Sequence, residues 1–236
     1  MLPKTAAPRI VVLKANRLYG QLICCRIKDL WRNAEVQLFQ RGFDALDAIQ
    51  TRMPDMFITG VNIDDMDGLE HLEPFIERNL PILIVTSRKD ARTFSLLRSI
   101  RYNGIYDASD EVGDDLHTVI ERVMDRLHYV SPSMIPLLKP PKNITLDALT
   151  DMEEMVLSVI GDGSDDWQAA ERLGLSRHTV NTHRKTIMRK LRLHHKGELI
   201  LYAIQHGYVI VALGKVTQPG FQRRIRELGD EGRQSA

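Results

Sequence analysis

Between Arg177 and Leu191 the side chains able to touch a nucleic acid fall on one side of a helical pattern. At about 100° per residue, Val180, Ile187 and Leu191 cluster as a core-facing stripe, and His178, Asn181, Thr182, Lys185 and Arg189 gather opposite them. An amine, a guanidinium, an amide and a hydroxyl on one face can donate hydrogen bonds to base edges and phosphates. Most polar helix faces are only solvated, so the distribution of charge decides the weight of this one. Asp147 to Glu171 holds eight acids and no Lys or Arg, whereas Arg172 to Gly197 holds eight Lys or Arg and no acid. The formal net charge of the whole chain is only +1, but the half that carries this face is the half that would attract a duplex with one phosphate charge per about 1.7 Å.

The elements that must position the face are legible around it. Thr150-Asp151-Met152-Glu153 is a capping box and opens a helix with Met152, Met155, Val156 and Val159 on one side. A second helix runs from about Asp166 to Leu173, stops at Gly174, and hands over to Ser176, the N-cap of a third helix from Arg177 to Leu191. Two helices joined by a tight glycine turn make a helix-turn-helix. Asp165 and Asp166 beside Trp167 are read as helix-capping acids at the start of the second helix. A fourth helix covers Gly197 to His206.

The first half of the chain has another rhythm. Arg9 to Leu13, Ala34 to Phe39, Met56 to Thr59, Ile82 to Val85 and Gly104 to Tyr106 are short, apolar and bounded by turn residues, as buried parallel strands are. Amphipathic runs lie between them at Leu18 to Trp31, Phe43 to Arg52, Ala91 to Tyr102 and Asp115 to Leu127. The alternation predicts an α/β fold, a five-stranded doubly wound parallel sheet, followed by an all-α four-helix domain. The expected boundaries are 1–128 for the sheet domain, 129–147 for a linker in which Ser131-Pro132-Ser133 starts a short helix and Lys139-Pro140-Pro141-Lys142 forms a stiff break, 148–213 for the helical domain and 214–236 for a tail. That tail, with Arg223, Arg224 and Arg226, reads as a disordered end.

Composition removes several function classes. A length of 236 residues, 43% hydrophobic and 27% charged, suits two soluble domains. No apolar run reaches the roughly 18 residues that cross a bilayer, and no export signal precedes the first strand, so a cytoplasmic protein with no membrane partner is expected. Cys24 and Cys25, adjacent in a helical pattern, suit buried thiols. No metal-ligand spacing, activated nucleophile or phosphate-cradling glycine loop stands out, so neither an enzyme nor a resident cofactor or metal is expected.

Leu149-Thr150, Gly163, Ala169-Ala170-Glu171-Arg172-Leu173-Gly174-Leu175-Ser176, Thr179-Val180, His183, Ile187-Met188-Arg189-Lys190-Leu191, Glu198-Leu199 and Ala203-Ile204-Gln205-His206-Gly207 resemble the LuxR-type helix-turn-helix domain. The resemblance implies that the third helix enters the major groove with Asn181, Thr182 and Lys185 at the base-reading positions. Their chemistry suits those positions, since Lys can donate to guanine O6 and N7, Asn can pair with adenine, and the Thr methyl can meet that of thymine. Arg184, Arg189, Lys190 and Lys196 are placed for phosphates, with hydroxyl contacts from Ser176 and Thr179. The resemblance also implies dimerisation through the last helix and a symmetric pair reading an inverted repeat in double-stranded DNA.

The stretch PDMFITGVNIDDMDGLE, residues 54–70, together with Thr86 and Gly104, is similar to the receiver domain of LuxR/NarL-type response regulators. Such a domain implies a phosphoacceptor Asp after the third strand, two metal-holding acids after the first and a Lys after the fifth. In that register the acceptor is Gly60, the acid pair is Lys14 and Ala15, the Lys is Ala108, and Thr86 keeps its place. The first acid in the chain is Asp29, so no shift of the first strand supplies the pair. Asp64, Asp65 and Asp67 read as solvated turn acids. The expectation is a transcription regulator with a phosphorylation-independent pseudo-receiver, with an unknown protein or ligand effector as the remaining partner; the Lys14 amine either reaches solvent or supplies a fixed cation at the pocket mouth. The alternative is an interaction protein that binds a kinase or another regulator through the receiver, with weak or no DNA binding.

Overall fold

The computed structural model describes residues 7–63, 65, 69, 72, 79–110, 115–139, 149–212 and 215–218. The chain divides into two compact units, with the sequence boundary between Lys139 and Pro140. The expected linker core at 140–147, the arginines of the tail, and Asp64, Met66, Asp67, Gly68 and Glu70 lie outside the described residues.

The first unit is a parallel sheet of β1 (Arg9–Leu13), β2 (Glu35–Phe39), β3 (Met56–Thr59), β4 (Ile82–Thr86), β5 (Gly104–Asp107) and β6 (Tyr129–Val130), in the order β2-β1-β3-β4-β5-β6. Among the described residues its helices are α1 (Arg17–Leu30), α2 (Gly42–Thr51), α3 (Ala91–Ser99), α4 (Asp115–Met124) and the short α5 (Ile135–Leu138). Side-chain alternation assigns the two faces. Val11, Leu13, Phe57, Ile82, Ile84 and Ile105 share a core with Ala45 and Ile49 of α2 and Phe94 and Leu97 of α3. Ile10, Val12, Met56, Ile58, Leu83 and Val85 point the other way, against Ile23 and Ile27 of α1 and Leu116, Ile120 and Val123 of α4. Both faces are covered, which is why these strands read as unbroken apolar runs.

The sheet has six strands rather than the expected five. Tyr129 and Val130 pair in parallel with Gly104 and Ile105, and Ser131 follows with its N–H on the Ile105 carbonyl. A two-residue strand has no periodicity to read, and it forms because the edge of β5 presents unpaired backbone groups. Residues assigned to the start of the linker therefore continue the first unit, with Met134 buried in its core.

The second unit contains α6 (Asp151–Ile160), α7 (Asp166–Leu173), α8 (Arg177–Lys190) and α9 (Lys196–Gln205). It is not all-α. A hairpin of β7 (Ile210–Ala212) and β8 (Lys215–Thr217) follows α9. The Thr150 and Glu153 capping box forms with both of its hydrogen bonds. Gly174 ends α7 at φ 64°, a left-handed turn that favours glycine, and Ser176 caps α8 by accepting from the Thr179 N–H. Val156, Val159, Ile160, Ala169, Val180, Ile187, Leu199 and Ala203 form the core that fixes α8 in place.

Candidate functional site

The outward stripe of α8 is exposed at His178, Thr182, Lys185 and Arg189, four residues spaced at helical intervals. Val180 and Ile187 are fully buried beneath it. Lys185 and Arg189 make no ion pair among the described residues. Thr182 returns its hydroxyl to the His178 carbonyl at 3.0 Å, within its own helix. Ser176 Oγ lies 2.8 Å from Thr179 Oγ1, so the two hydroxyls at the head of α8 stand together.

The remaining expected contacts are already partnered. Asn181 is half-buried and donates from Nδ2 to Asp166 Oδ2 at 2.9 Å. Arg184 Nη2 lies 2.5 Å from Asp166 Oδ1. Lys190 Nζ donates to Glu153 Oε2 at 2.7 Å, tying the end of α8 to the capping box of α6. Burial raises the Glu153 carboxyl, and the hydrogen bonds from Lys190 and Thr150 outweigh it, leaving the group below its ordinary range. Lys196 donates to the Gly163 carbonyl at 2.6 Å. Arg172 Nη1 meets Asp162 Oδ2 at 2.6 Å.

The acidic and basic halves seen in the sequence are thus partly folded onto each other through Glu153–Lys190, Asp162–Arg172 and Asp166–Arg184. What stays open is the narrower stripe of His178, Thr182, Lys185 and Arg189. Asp165 caps α7, accepting from the N–H groups of Trp167 and Gln168, as expected. Asp166 faces α8 instead, a role not visible in sequence because its contact with Asn181 spans fifteen positions across a turn.

In the first unit, the strand order reverses direction between β1 and β3. Doubly wound sheets hold ligands at such a point, beyond the carboxyl ends of the strands. Lys14 and Gly60 stand there, one residue past β1 and β3. Lys14 Nζ donates to the Val85 carbonyl at 2.9 Å and sits 5.0 Å from the centre of the Tyr19 ring. A Cβ on Gly60 would come within 3.0 Å of that nitrogen, so the amine would have to shift to admit a side chain at position 60. Burial lowers the amine to about 8, which leaves it a cation at neutral pH.

The other degenerate positions are equally committed. Ala15 gives its carbonyl to Gln40 at 3.4 Å. Thr86 Oγ1 accepts from the Arg88 N–H at 3.1 Å, and the Ala108 N–H bonds the Thr86 carbonyl. Asp65 differs from the solvated acid expected: it accepts from the Gly42 and Phe43 N–H groups at 2.7 and 3.2 Å, capping α2 with both oxygens. Sequence reasoning missed Asp107. This carboxylate, 0% exposed at the end of β5, is held by Lys89 at 2.8 Å and by the Ser109 and Ser133 hydroxyls at 2.6 Å each. Burial raises it, but those hydrogen bonds prevail and keep it well below the usual carboxylate range. A lysine after the first strand and an acid at the end of the fifth invert the charge order that the receiver resemblance implied.

Residues 147–203 match the family model of the bacterial regulatory proteins of the luxR family. The second unit is a LuxR-type domain. Over longer stretches the chain is similar to known regulators. It is 26% identical over 167 residues to the transcriptional regulatory protein DesR of Bacillus subtilis, covering 71% of this chain and 81% of that protein. It is 28% identical over 160 residues to the transcriptional regulatory protein MctR of Rhizobium johnstonii, covering 66% and 74%. Its fold resembles RcsB from Salmonella enterica serovar Typhimurium, solved bound to the promoter P1flhDC, with a TM-score of 0.53, 17% identity, and coverage of 84% of this chain and 98% of that one. No described helix is long and apolar enough to cross a membrane.

Proposed function

We propose that this chain is a sequence-specific, DNA-binding transcription regulator whose receiver-like unit works without aspartyl phosphorylation. The observation that carries the DNA-binding part is the α8 stripe: Lys185 and Arg189 remain unpaired among the described residues, while the other expected contacts on or beside α8 are held by Asp166, Glu153 and Gly163. Buried ionic groups are matched with partners, and cations left open on one helix face suit a partner rich in phosphate. Relatives named as transcriptional regulatory proteins and the promoter-bound RcsB support the same reading. Thr182 and Lys185, with Asn181 at their flank, would meet base edges in the major groove. Arg189, with the hydroxyls of Ser176 and Thr179, would meet phosphates. The resemblance to LuxR-type domains supports a homodimer that reads an inverted repeat.

Phosphorylation independence is supported by the Lys14 and Gly60 pair. The acceptor position has no side chain, and a partly buried ammonium lies close beside it. Lys14 supplies internally the positive charge that a receiver otherwise obtains from a metal ion, which favours one fixed state. Treatment with acetyl phosphate followed by intact-mass spectrometry tests this: no aspartyl adduct is expected, and a single one would overturn it. A mobility-shift titration with selected duplex tests the DNA-binding part, and complete absence of a shift at low salt would refute it.

A protein-interaction regulator is the second reading, favoured by the acids Asp165 and Asp166 at the head of α7, which weaken any phosphate contact there. It predicts capture of a protein partner by the receiver-like unit and no salt-dependent shift.

A further inference from the structure

If α8 reads DNA, as proposed above, the contact between Asp166 and two of its residues governs how it meets a base. Asp166 is not among the residues that the family resemblance singles out. It begins α7, and its carboxylate touches α8 at Asn181 and at Arg184. A carboxylate is acceptor-only, so the Asn181 atom facing it must be the amide nitrogen and not the oxygen. That contact fixes which end of the amide points inward. A primary amide has two N–H groups, and pairing with adenine uses the carbonyl oxygen and one of them. Asp166 can take the other without sacrificing that edge.

Arg184 is affected in the opposite sense. Its Nε and Nη2 and the Asp166 Oδ1 are buried without an aligned hydrogen bond, so the 2.5 Å approach is a charge contact that holds the guanidinium away from solvent. An arginine held in this way does not contribute to phosphate neutralisation.

We propose that Asp166 is a positioning residue that sets the base preference of α8: it orients the Asn181 amide for adenine and withdraws Arg184 from the phosphate backbone. The two halves separate on substitution. In Asp166→Asn the side-chain oxygen still accepts from Asn181 but no longer holds the charge of Arg184. In Asp166→Ala both contacts are lost.

Binding-site selection and salt titration of the full chain test this on wild type and both variants. Wild type is expected to show an adenine preference at one position of each half-site. Asp166→Asn should keep that preference while the slope of log K against log[salt] steepens by about one per protomer, as Arg184 reaches a phosphate. Asp166→Ala should show the same steepening and lose the adenine preference by roughly tenfold, within the range of one base contact. If Asp166→Ala selects the same sequences with the wild-type slope, the proposal is overturned while the DNA-binding reading stands. If wild type binds no duplex, both fall together. Asp166→Asn keeps the size of the side chain, so its salt slope decides the Arg184 half even if Asp166→Ala does not fold. An unchanged slope in Asp166→Asn overturns that half.

Discussion

The carboxyl edge of the sheet and the outer face of α8 use the same kinds of groups to opposite ends. At the sheet edge Lys14 is enclosed by a carbonyl and an aromatic ring, and Asp107 by Lys89 and two serine hydroxyls. On α8, Lys185 and Arg189 face outward with no ion pair among the described residues. A site that satisfies its own charges has nothing left to offer a phosphoryl group or a metal ion. A face that leaves its charges open must find its counterions elsewhere. On the proposed reading, this difference puts DNA contact on α8 and leaves the edge at Lys14 and Gly60 a structural role.

The largest effect that would break this contrast concerns Lys14. Its amine is lowered to about 8 from 10.5 by burial, so below pH 8 the folded and unfolded states both carry the proton. Between about 8 and 10.5 the unfolded state binds more protons, and stability contributed by this residue rises with pH. The difference in unfolding free energy between wild type and Lys14→Met should therefore change by up to about 3 kcal/mol in favour of wild type across that window, measured by denaturant titration. A flat difference would mean that enclosing the amine does not disfavour its charge, because solvent or its partners fully offset the burial.

Next is Lys185→Ala, which should lower affinity for a selected duplex by about 1–3 kcal/mol and relax preference at one base position, with little change in melting temperature. Lys190→Ala should do the reverse. It leaves the Glu153 carboxylate, 5% exposed, without its ammonium and should cost about 1.5 kcal/mol of stability in the second unit. A loss of DNA affinity without loss of stability would return Lys190 to the phosphate contacts. Smallest is Arg189→Ala, expected to weaken all sequences alike by about 1 kcal/mol or less per protomer and to flatten the salt slope by about one per protomer.

Much of the architecture can be read from the chain because it is written in periodicity and local chemistry. Five strands with their flanking helices, the Thr150 capping box, the Gly174 turn and the Ser176 cap are all short-range patterns. The sixth strand is not legible, since Tyr129 and Val130 are too few to alternate. At the candidate site, the outward side chains of Thr182, Lys185 and Arg189 follow from helical geometry alone. The partners of Asn181, Arg184 and Lys190 do not, because side-chain pairs across a turn or between helices leave no local trace. Lys14 can be suspected from its place after β1, but its hydrogen bond goes to a backbone carbonyl, which every residue carries. Asp107 escapes notice because one acid after a short strand resembles any turn residue until Lys89 and Ser133 close on it.

Salt dependence of duplex binding by the full chain tests the central claim most directly. With Arg189 from each of two protomers on phosphates, raising salt fourfold from low concentration should weaken binding to a selected fragment by at least about tenfold. Binding that does not change with salt, or no binding to any fragment in a random pool, would contradict the assignment of the open α8 stripe as the functional surface.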